Sequence, residues 1–257
     1  MTPELKTAIK AARIVGEQLI NAIGNNHQLR FKGKINLVTE MDIWAEKKIK
    51  RIFQEEFPHY GFLGEEGEII AGEDFCRWIV DPIDGTTNYV HGYPLFAISI
   101  ALEKDSEIVM GVVYNPLLDE LFHAEKGKGA FLNGKPINVS DTNELRKSLL
   151  ASGFPYDAWT NPKNNSSEWQ RLLRKTISLR SDGVASLDLC HVAAGRLDGY
   201  WELNLEPWDM AAGSLIVKET GGMVSSISGD PFSIYQRNIL AANKGIYRAL
   251  LVELNET

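Results

Sequence analysis

The chain has 257 residues, 44% of them hydrophobic and 24% charged, with a formal net charge of −7. That length fits one large domain or two closely fused ones, with room for a sizeable core. The acidic balance argues against general nucleic-acid binding, which needs a basic face. With no apolar leader region and no apolar run of about 18 residues, a cytoplasmic protein without a membrane span is expected.

A first helix is predicted over residues 3–23. Thr2 and Pro3 form its start signal. Leu5, Ile9, Ala12, Leu19 and Ile23 share one helical face, and Gly24 is a stop. A polar, basic link over 25–34 leads to a second helix, from near Thr39 to before Pro58. Its apolar stripe is Ile43, Ile49, Ile52, Phe53 and Phe57. The middle of the chain reads as strands over 75–81, 96–103, 108–114 and 120–124. Asn115-Pro116 marks a break, and Asn133-Gly134 marks a hairpin turn. The polar stretch 157–167 reads as a surface loop and a boundary between sub-domains of about 1–150 and 151–257. Beyond it, helices over 169–175, 184–194, 207–219 and 246–256 alternate with extended segments over 178–180, 197–203, 223–227 and 239–242. A run of strands followed by this alternation implies a layered α/β or α+β domain.

The richest segment is Trp78-Ile79-Val80-Asp81-Pro82-Ile83-Asp84-Gly85-Thr86-Thr87-Asn88. An apolar run ends in one carboxylate, and a second follows three residues later. Hard cations take oxygen ligands, and Mg²⁺ favours one or two carboxylates plus substrate phosphate oxygens. Gly85 lets backbone approach a ligand. Thr86, Thr87 and Asn88 open a helix, whose free N–H groups favour an anion. A cation site beside a phosphate site points to metal-assisted phosphoryl chemistry.

Two further acidic clusters are Gly64-Glu65-Glu66-Gly67 and Glu206-Pro207-Trp208-Asp209. Each has a plain structural reading. The first is an ordinary solvated turn, and Asp209 or Glu206 could serve the dipole of a helix N-terminus. Asp42 matches a capping box with Thr39, Asp standing in for the preferred Glu. His27, His59, His91, His123 and His191 do not cluster and read as structural or surface groups. Cys76 and Cys190 lie in apolar stretches and read as buried thiols. Two cysteines make no disulfide framework, which fits a reducing compartment.

Gly64-Glu65-Glu66, the 78–88 segment and Pro207-Trp208-Asp209 with Ala211-Ala212-Gly213 together resemble the inositol monophosphatase family. Those are metal-dependent, lithium-sensitive phosphatases. Leu37-Val38-Thr39, Gly127-Lys128-Gly129-Ala130-Phe131 and Ala194-Gly195-Arg196-Leu197-Asp198 support the match. Residues 151–157, Ala-Ser-Gly-Phe-Pro-Tyr-Asp, resemble its bacterial branch. The resemblance implies an α-β-α-β-α layered sugar-phosphatase fold, a homodimer, and two to three Mg²⁺ ions. It implies that Glu65, Asp81 and the Ile83 carbonyl hold one metal, that Asp81, Asp84 and Asp209 hold a second, and that a third, weaker ion leans on Glu65. It further implies that Gly85 and Thr86 N–H groups bind phosphate and that Asp42 bonds the Thr86 hydroxyl. Gly183, Ala185 and Glu202 match substrate contacts. A family lysine corresponds to Lys32 or Lys34. The residue after Gly183 is commonly Ser or Thr in the family; Val184 here removes a hydroxyl expected near the substrate.

The expected reaction is hydrolysis of a phosphate monoester by a metal-activated water, with Glu65, Thr86 and Asp42 as the catalytic set and no covalent intermediate. Inositol 1-phosphate is the first substrate reading. Fructose 1,6-bisphosphate is the alternative, and Arg171, Arg174, Lys175 and Arg180 are weighed as its second anion site against a plain solvated basic face. The reading from a different class is a macromolecule-binding protein that retains the phosphatase site.

Overall fold

The computed structural model describes residues 1–23, 30–32, 36–38, 40–67, 69–72 and 75–256. Gly24, His27, Lys34 and Thr39, and the side chain of Lys32, lie outside the described residues.

Helix α1 (Pro3–Ala22) starts as its sequence dictates, with the Thr2 side chain accepting from the Leu5 N–H and Pro3 in the first turn. A short antiparallel pair, β1 (Arg30–Lys32) and β2 (Asn36–Val38), precedes α2 (Glu40–Glu56). Then come β3 (Gly61–Gly64), β4 (Cys76–Asp84), the short α3 (Thr86–Val90), β5 (Ala97–Lys104), β6 (Glu107–Asn115), β7 (Glu120–Glu125), β8 (Ala130–Leu132) and β9 (Lys135–Pro136). These seven strands form one sheet in chain order; β3 is parallel to β4 and every other pairing is antiparallel. Asn133 (φ 48°) and Gly134 (φ 76°) make the turn between β8 and β9, the left-handed pair that a two-residue hairpin requires.

The rest of the chain supplies β10 (Leu149–Ser152), α4 (Ser166–Leu173), β11 (Ser178–Arg180), α5 (Ala185–Ala193), β12 (Gly199–Leu203), α6 (Pro207–Glu219), β13 (Met223–Ser225), β14 (Asn238–Ala242) and α7 (Tyr247–Asn255). Its five-stranded sheet runs β11-β10-β12-β14-β13. Strands β3 and β10 were not expected from sequence. Helix α4 starts at Ser166, three residues before its expected start.

The two sheets and the helices stack in five layers. Helices α5 and α6 carry Leu187, Leu189, Ala212 and Ile216 into a shared core with Ile79, Ala101 and Phe122 of one sheet and Ala151, Tyr200 and Ala241 of the other. The outer face of the larger sheet, with Trp78, Val80, Ile100 and Val112, packs on α1 and α2 through Leu5, Leu19, Ile49 and Phe53. The outer face of the smaller sheet, with Leu150, Trp201 and Leu240, packs on α4 and α7 through Leu172 and Leu250. Alternate strand residues serve opposite faces, so Ile79 points into the central layer while Trp78 and Val80 point out. Full burial of each large side chain contributes about 1.5–3 kcal/mol before entropy is counted. Cys76 and Cys190 are buried thiols outside any disulfide, as their apolar surroundings suggested. Among the described residues no helix is long and apolar enough to cross a membrane.

Candidate active site

Strand β4 pairs with β5 in regular register from Cys76↔Lys104 to Asp81↔Ser99, then resumes at Asp84↔Ala97. Three residues on β4 therefore span the two from Ser99 to Ala97, which is a β-bulge. In an unbroken strand, Asp81 and Asp84 would face opposite sides, because their separation is odd. The extra residue cancels that parity and keeps both aspartates in step with Ser99 and Ala97. Pro82, which lacks an N–H, sits inside the bulge, where a proline costs no ladder bond.

Both carboxylates line a cleft of about 670 Å³ that also takes in Glu65, Ile83, Gly85, Thr86, Gly183, Ala185, Glu202 and Asp209. Asp42 stands behind the lining, fully buried on the first turn of α2. All eleven expected site residues thus gather at one place, contributed by six separate segments of the chain. The bases for the plain readings remain: Asp209 does complete a capping box with Glu206 at the start of α6. It serves the cap and the cleft together.

Backbone N–H groups aim the carboxylates. Ile83 N–H donates to Asp81 Oδ1 at 2.9 Å, Ser186 N–H to Asp84 Oδ2 at 2.7 Å, and Glu206 N–H to Asp209 Oδ2 at 2.8 Å. Glu65 is set by its turn. Glu46, 4% exposed on α2, accepts from Glu66 N–H at 2.7 Å. A Cβ on Gly64 would lie 2.2 Å from Glu46 Oε2, so only glycine lets that turn close on the glutamate.

The Thr86 hydroxyl lies 3.0 Å from Asp42 Oδ1 and 3.0 Å from the Ile83 carbonyl oxygen. It has one hydrogen to share between them. Gly85 before it has φ 89°, and a Cβ there would meet Val184 Cγ2 at 2.8 Å. Val184 is 1% exposed and belongs to the central core. Its Cγ2 methyl lies under the Gly85 turn, and Val184 is not among the residues that line the cleft. Asn88 Nδ2 donates to the Asp182 carbonyl at 2.8 Å and ties α3 to the Gly183 segment.

The site is strongly acidic. Burial pushes the Asp81 carboxyl well above its usual range, and Glu65, Asp84, Asp209 and Asp42 push it further. Asp209 is raised by burial and then by Asp84. Burial lifts Asp84 to about 6 against the lowering effect of its Ser186 bonds. Burial also lifts Glu202 to about 7, although the Tyr200 hydroxyl and Gly153 N–H bond it. Oxygen donors that mutually resist ionisation fit a hard divalent cation, which would relieve all of them at once. Among the described residues, the one group of three whose ligand atoms all lie within 4.8 Å of one another is Asp182, Asp188 and His191.

Sequence reasoning missed Glu46, Ser186, Tyr156 and Arg237. Tyr156 and Arg237 line the cleft, and Arg237 is held by Glu206 at 2.6 Å. The glycines around Glu65 were a signal for a close neighbour, but not for which one. Arg171, Arg174, Lys175 and Arg180 do not line the cleft; Arg171 and Lys175 bond to Glu253 at the end of α7. Among the described residues no histidine lines it either. His91 is exposed at the end of α3, and His123 is buried beside Phe131.

A family model described as the inositol monophosphatase family matches residues 1–257. The chain belongs to this family, which is one of phosphatases. It is 42% identical to an inositol-1-monophosphatase of Mesorhizobium japonicum over 96% of its own length and 94% of the relative's. It is 39% identical to a protein of Pseudomonas aeruginosa named Nus factor SuhB, over 99% and 96%. The crystal structure of the extragenic suppressor protein suhB from Bartonella henselae superposes with a TM-score of 0.94 at 42% identity, covering 99% of each chain. The inositol monophosphatase-like layered fold read from the sequence is the fold of this chain.

Proposed function

We propose that this phosphatase hydrolyses inositol 1-phosphate to inositol and phosphate, with Mg²⁺ as cofactor. The observation that carries the reading is the β4 bulge, which delivers Asp81 and Asp84 to one cleft directly ahead of the Gly85–Thr86 turn. Two to three ions would be held by Glu65, Asp81, the Ile83 carbonyl, Asp84 and Asp209. When bound, they would supply Lewis acidity for water activation and for the leaving oxygen.

The chain's own residues do the positioning. Gly85 and Thr86 N–H groups, at the start of α3, receive the phosphate oxygens. Thr86 donates its hydroxyl hydrogen bond to Asp42 and turns a lone pair toward a hydrogen of the attacking water. Glu65 takes the water's other proton or holds that hydrogen, and the proton the water gives up ends on the leaving oxygen. The Ile83 carbonyl is needed as a ligand, which leaves Asp42 as the sole acceptor for the Thr86 hydroxyl. Gly183, Ala185 and Glu202 face the polyol; an ionised Glu202 accepts from its hydroxyl groups.

Fructose 1,6-bisphosphate remains the second substrate, with Arg237 the basic side chain in the cleft wall. A macromolecule-binding role is favoured by one observation, the relative named Nus factor SuhB. A turnover assay with Mg²⁺ on inositol 1-phosphate, fructose 1,6-bisphosphate and other sugar phosphates separates these readings. Preferred release of phosphate from inositol 1-phosphate supports the first. Release from none of them leaves the binding role. The same reading carries a homodimer, inhibition by lithium and a cytoplasmic location.

A further inference from the structure

Beside the cleft lies a cluster that the phosphatase reading does not use. Asp182, Asp188 and His191 each offer one ligand atom, and these atoms all lie within 4.8 Å of one another. Asp188 and His191 are three residues apart on α5 and so share a face of the helix. Asp182 comes from the segment that leads into the helix. The chain folds back on itself there, bringing a residue from outside the helix to that face.

Asp188 is 1% exposed, and its Oδ1 is buried with no hydrogen-bond partner. A buried acceptor without a donor bears its full desolvation cost, so such an atom calls for an unseen partner. Asp182, Glu202 and Asp84 are the charged groups that act on Asp188, all are acidic, and Asp182 can bond it only by sharing a proton. Burial and then Arg196 lower the basicity of His191 against the opposing pull of Glu120 and Asp182, which favours the neutral imidazole that binds metal. Asp182 and His191 are each partly exposed, which leaves a way in from solvent.

We propose that Asp182, Asp188 and His191 bind one divalent cation of the zinc class, separate from the all-oxygen Mg²⁺ site. One imidazole nitrogen and two carboxylate oxygens form a mixed set that suits Zn²⁺, whereas Mg²⁺ prefers oxygen alone. Three protein ligands leave the fourth tetrahedral position to water. Bound there, the cation would join Asp182 to α5 and pin the intervening residues. Those residues include Gly183 and Ala185 in the cleft wall and Ser186, whose N–H holds Asp84. Zn²⁺ at this site would therefore alter KM for the polyol more than kcat.

The full-length protein, stripped of metal, is dialysed to equilibrium against Zn²⁺ at a fixed saturating Mg²⁺ concentration, and bound zinc is counted. Wild type should retain one zinc more per chain than His191→Gln or Asp182→Asn. Both variants should keep the zinc-free, Mg²⁺-supported activity. Replacing Zn²⁺ by Co²⁺ should give visible ligand-field bands in wild type that vanish in both. All proteins are compared at the same Mg²⁺ concentration, so the difference stands even if Mg²⁺ is not the cofactor. Circular dichroism checks that the variants fold, and the partly exposed Asp182→Asn carries the test if His191→Gln does not. Equal zinc counts in wild type and in a folded variant would overturn the proposal: Asp188 would then simply hold a proton shared with Asp182.

Discussion

Asp42, buried on the first turn of α2, lies 3.0 Å from the hydroxyl of Thr86, the first residue of α3, 44 positions later in the chain. Asp42→Asn keeps the shape but removes the charge that draws the hydroxyl's proton. Loss of a positioned general-base relay costs about 10²–10⁴-fold in kcat. Thr86→Ala should cost the same, and the double variant should be little worse than either single one. A helix cap, by contrast, is worth about 1 kcal/mol of stability and nothing in kcat. Parallel kcat and melting measurements on the three variants separate the roles. An Asp42→Asn protein that melts earlier but turns over normally would mean that Asp42 is only a cap.

Asp84→Asn and Asp209→Asn test the metal ligands. Loss of groups that merely orient a ligand costs 10–100-fold, so loss of a ligand itself should exceed about 10²-fold in rate. Stability should move the other way. The amide oxygen can still accept from Ser186 or Glu206 N–H, and one charge leaves a cluster whose members raise one another's pKa. Metal-free Asp84→Asn should melt above metal-free wild type in a calorimeter, while its activity is lost at every Mg²⁺ concentration.

The same repulsion sets a pH dependence. The folded-state pKa of Asp84 is raised from 3.8 to about 6, and that of Glu202 from 4.5 to about 7. A carboxyl raised on folding stabilises the fold while protonated, and this contribution is lost as pH climbs through the folded value. Metal-free protein should therefore lose stability between pH about 4 and about 7. Mg²⁺ should restore stability at pH 7.5 but add little at pH 5, where protons compete for the ligands. Thermal melts with and without chelator at the two pH values check both signs.

Gly64→Ala should cripple the site without touching a ligand. Its Cβ would meet the Glu46 carboxylate at 2.2 Å. Either Glu46 moves and gives up the Glu66 N–H, or the turn opens and carries Glu65 away. Strain of this kind costs about 1–3 kcal/mol. Denaturant unfolding and the Mg²⁺ concentration for half-maximal activity should both shift. Full activity with unchanged Mg²⁺ demand would show that the turn tolerates the change.

Much of this was legible from the chain alone because the chemistry is written in local motifs. Asp81, Asp84, Gly85 and Thr86 fall within six residues, and helix starts such as Thr2-Pro3 and Glu206-Pro207 carry their own signals. The parity problem of Asp81 and Asp84 was not legible. Only pairing with β5 reveals the bulge, although Pro82 hinted at a break in the ladder. Glu46 escaped because its partners lie about 20 residues away and its neighbours on α2 read as an ordinary amphipathic helix. The role of Val184 depends on what faces it, here Gly85 from a distant strand end. Strands β3 and β10 are four residues each, too short to show a period.

The central claim is a Mg²⁺-dependent phosphate monoester hydrolase acting on inositol 1-phosphate, and phosphate release from that substrate before and after exhaustive chelation tests it most directly. Release should require Mg²⁺, stop on chelation, return when Mg²⁺ is restored, and be missing in Asp84→Asn. Full activity after chelation, or no turnover of inositol 1-phosphate at saturating Mg²⁺, would contradict it.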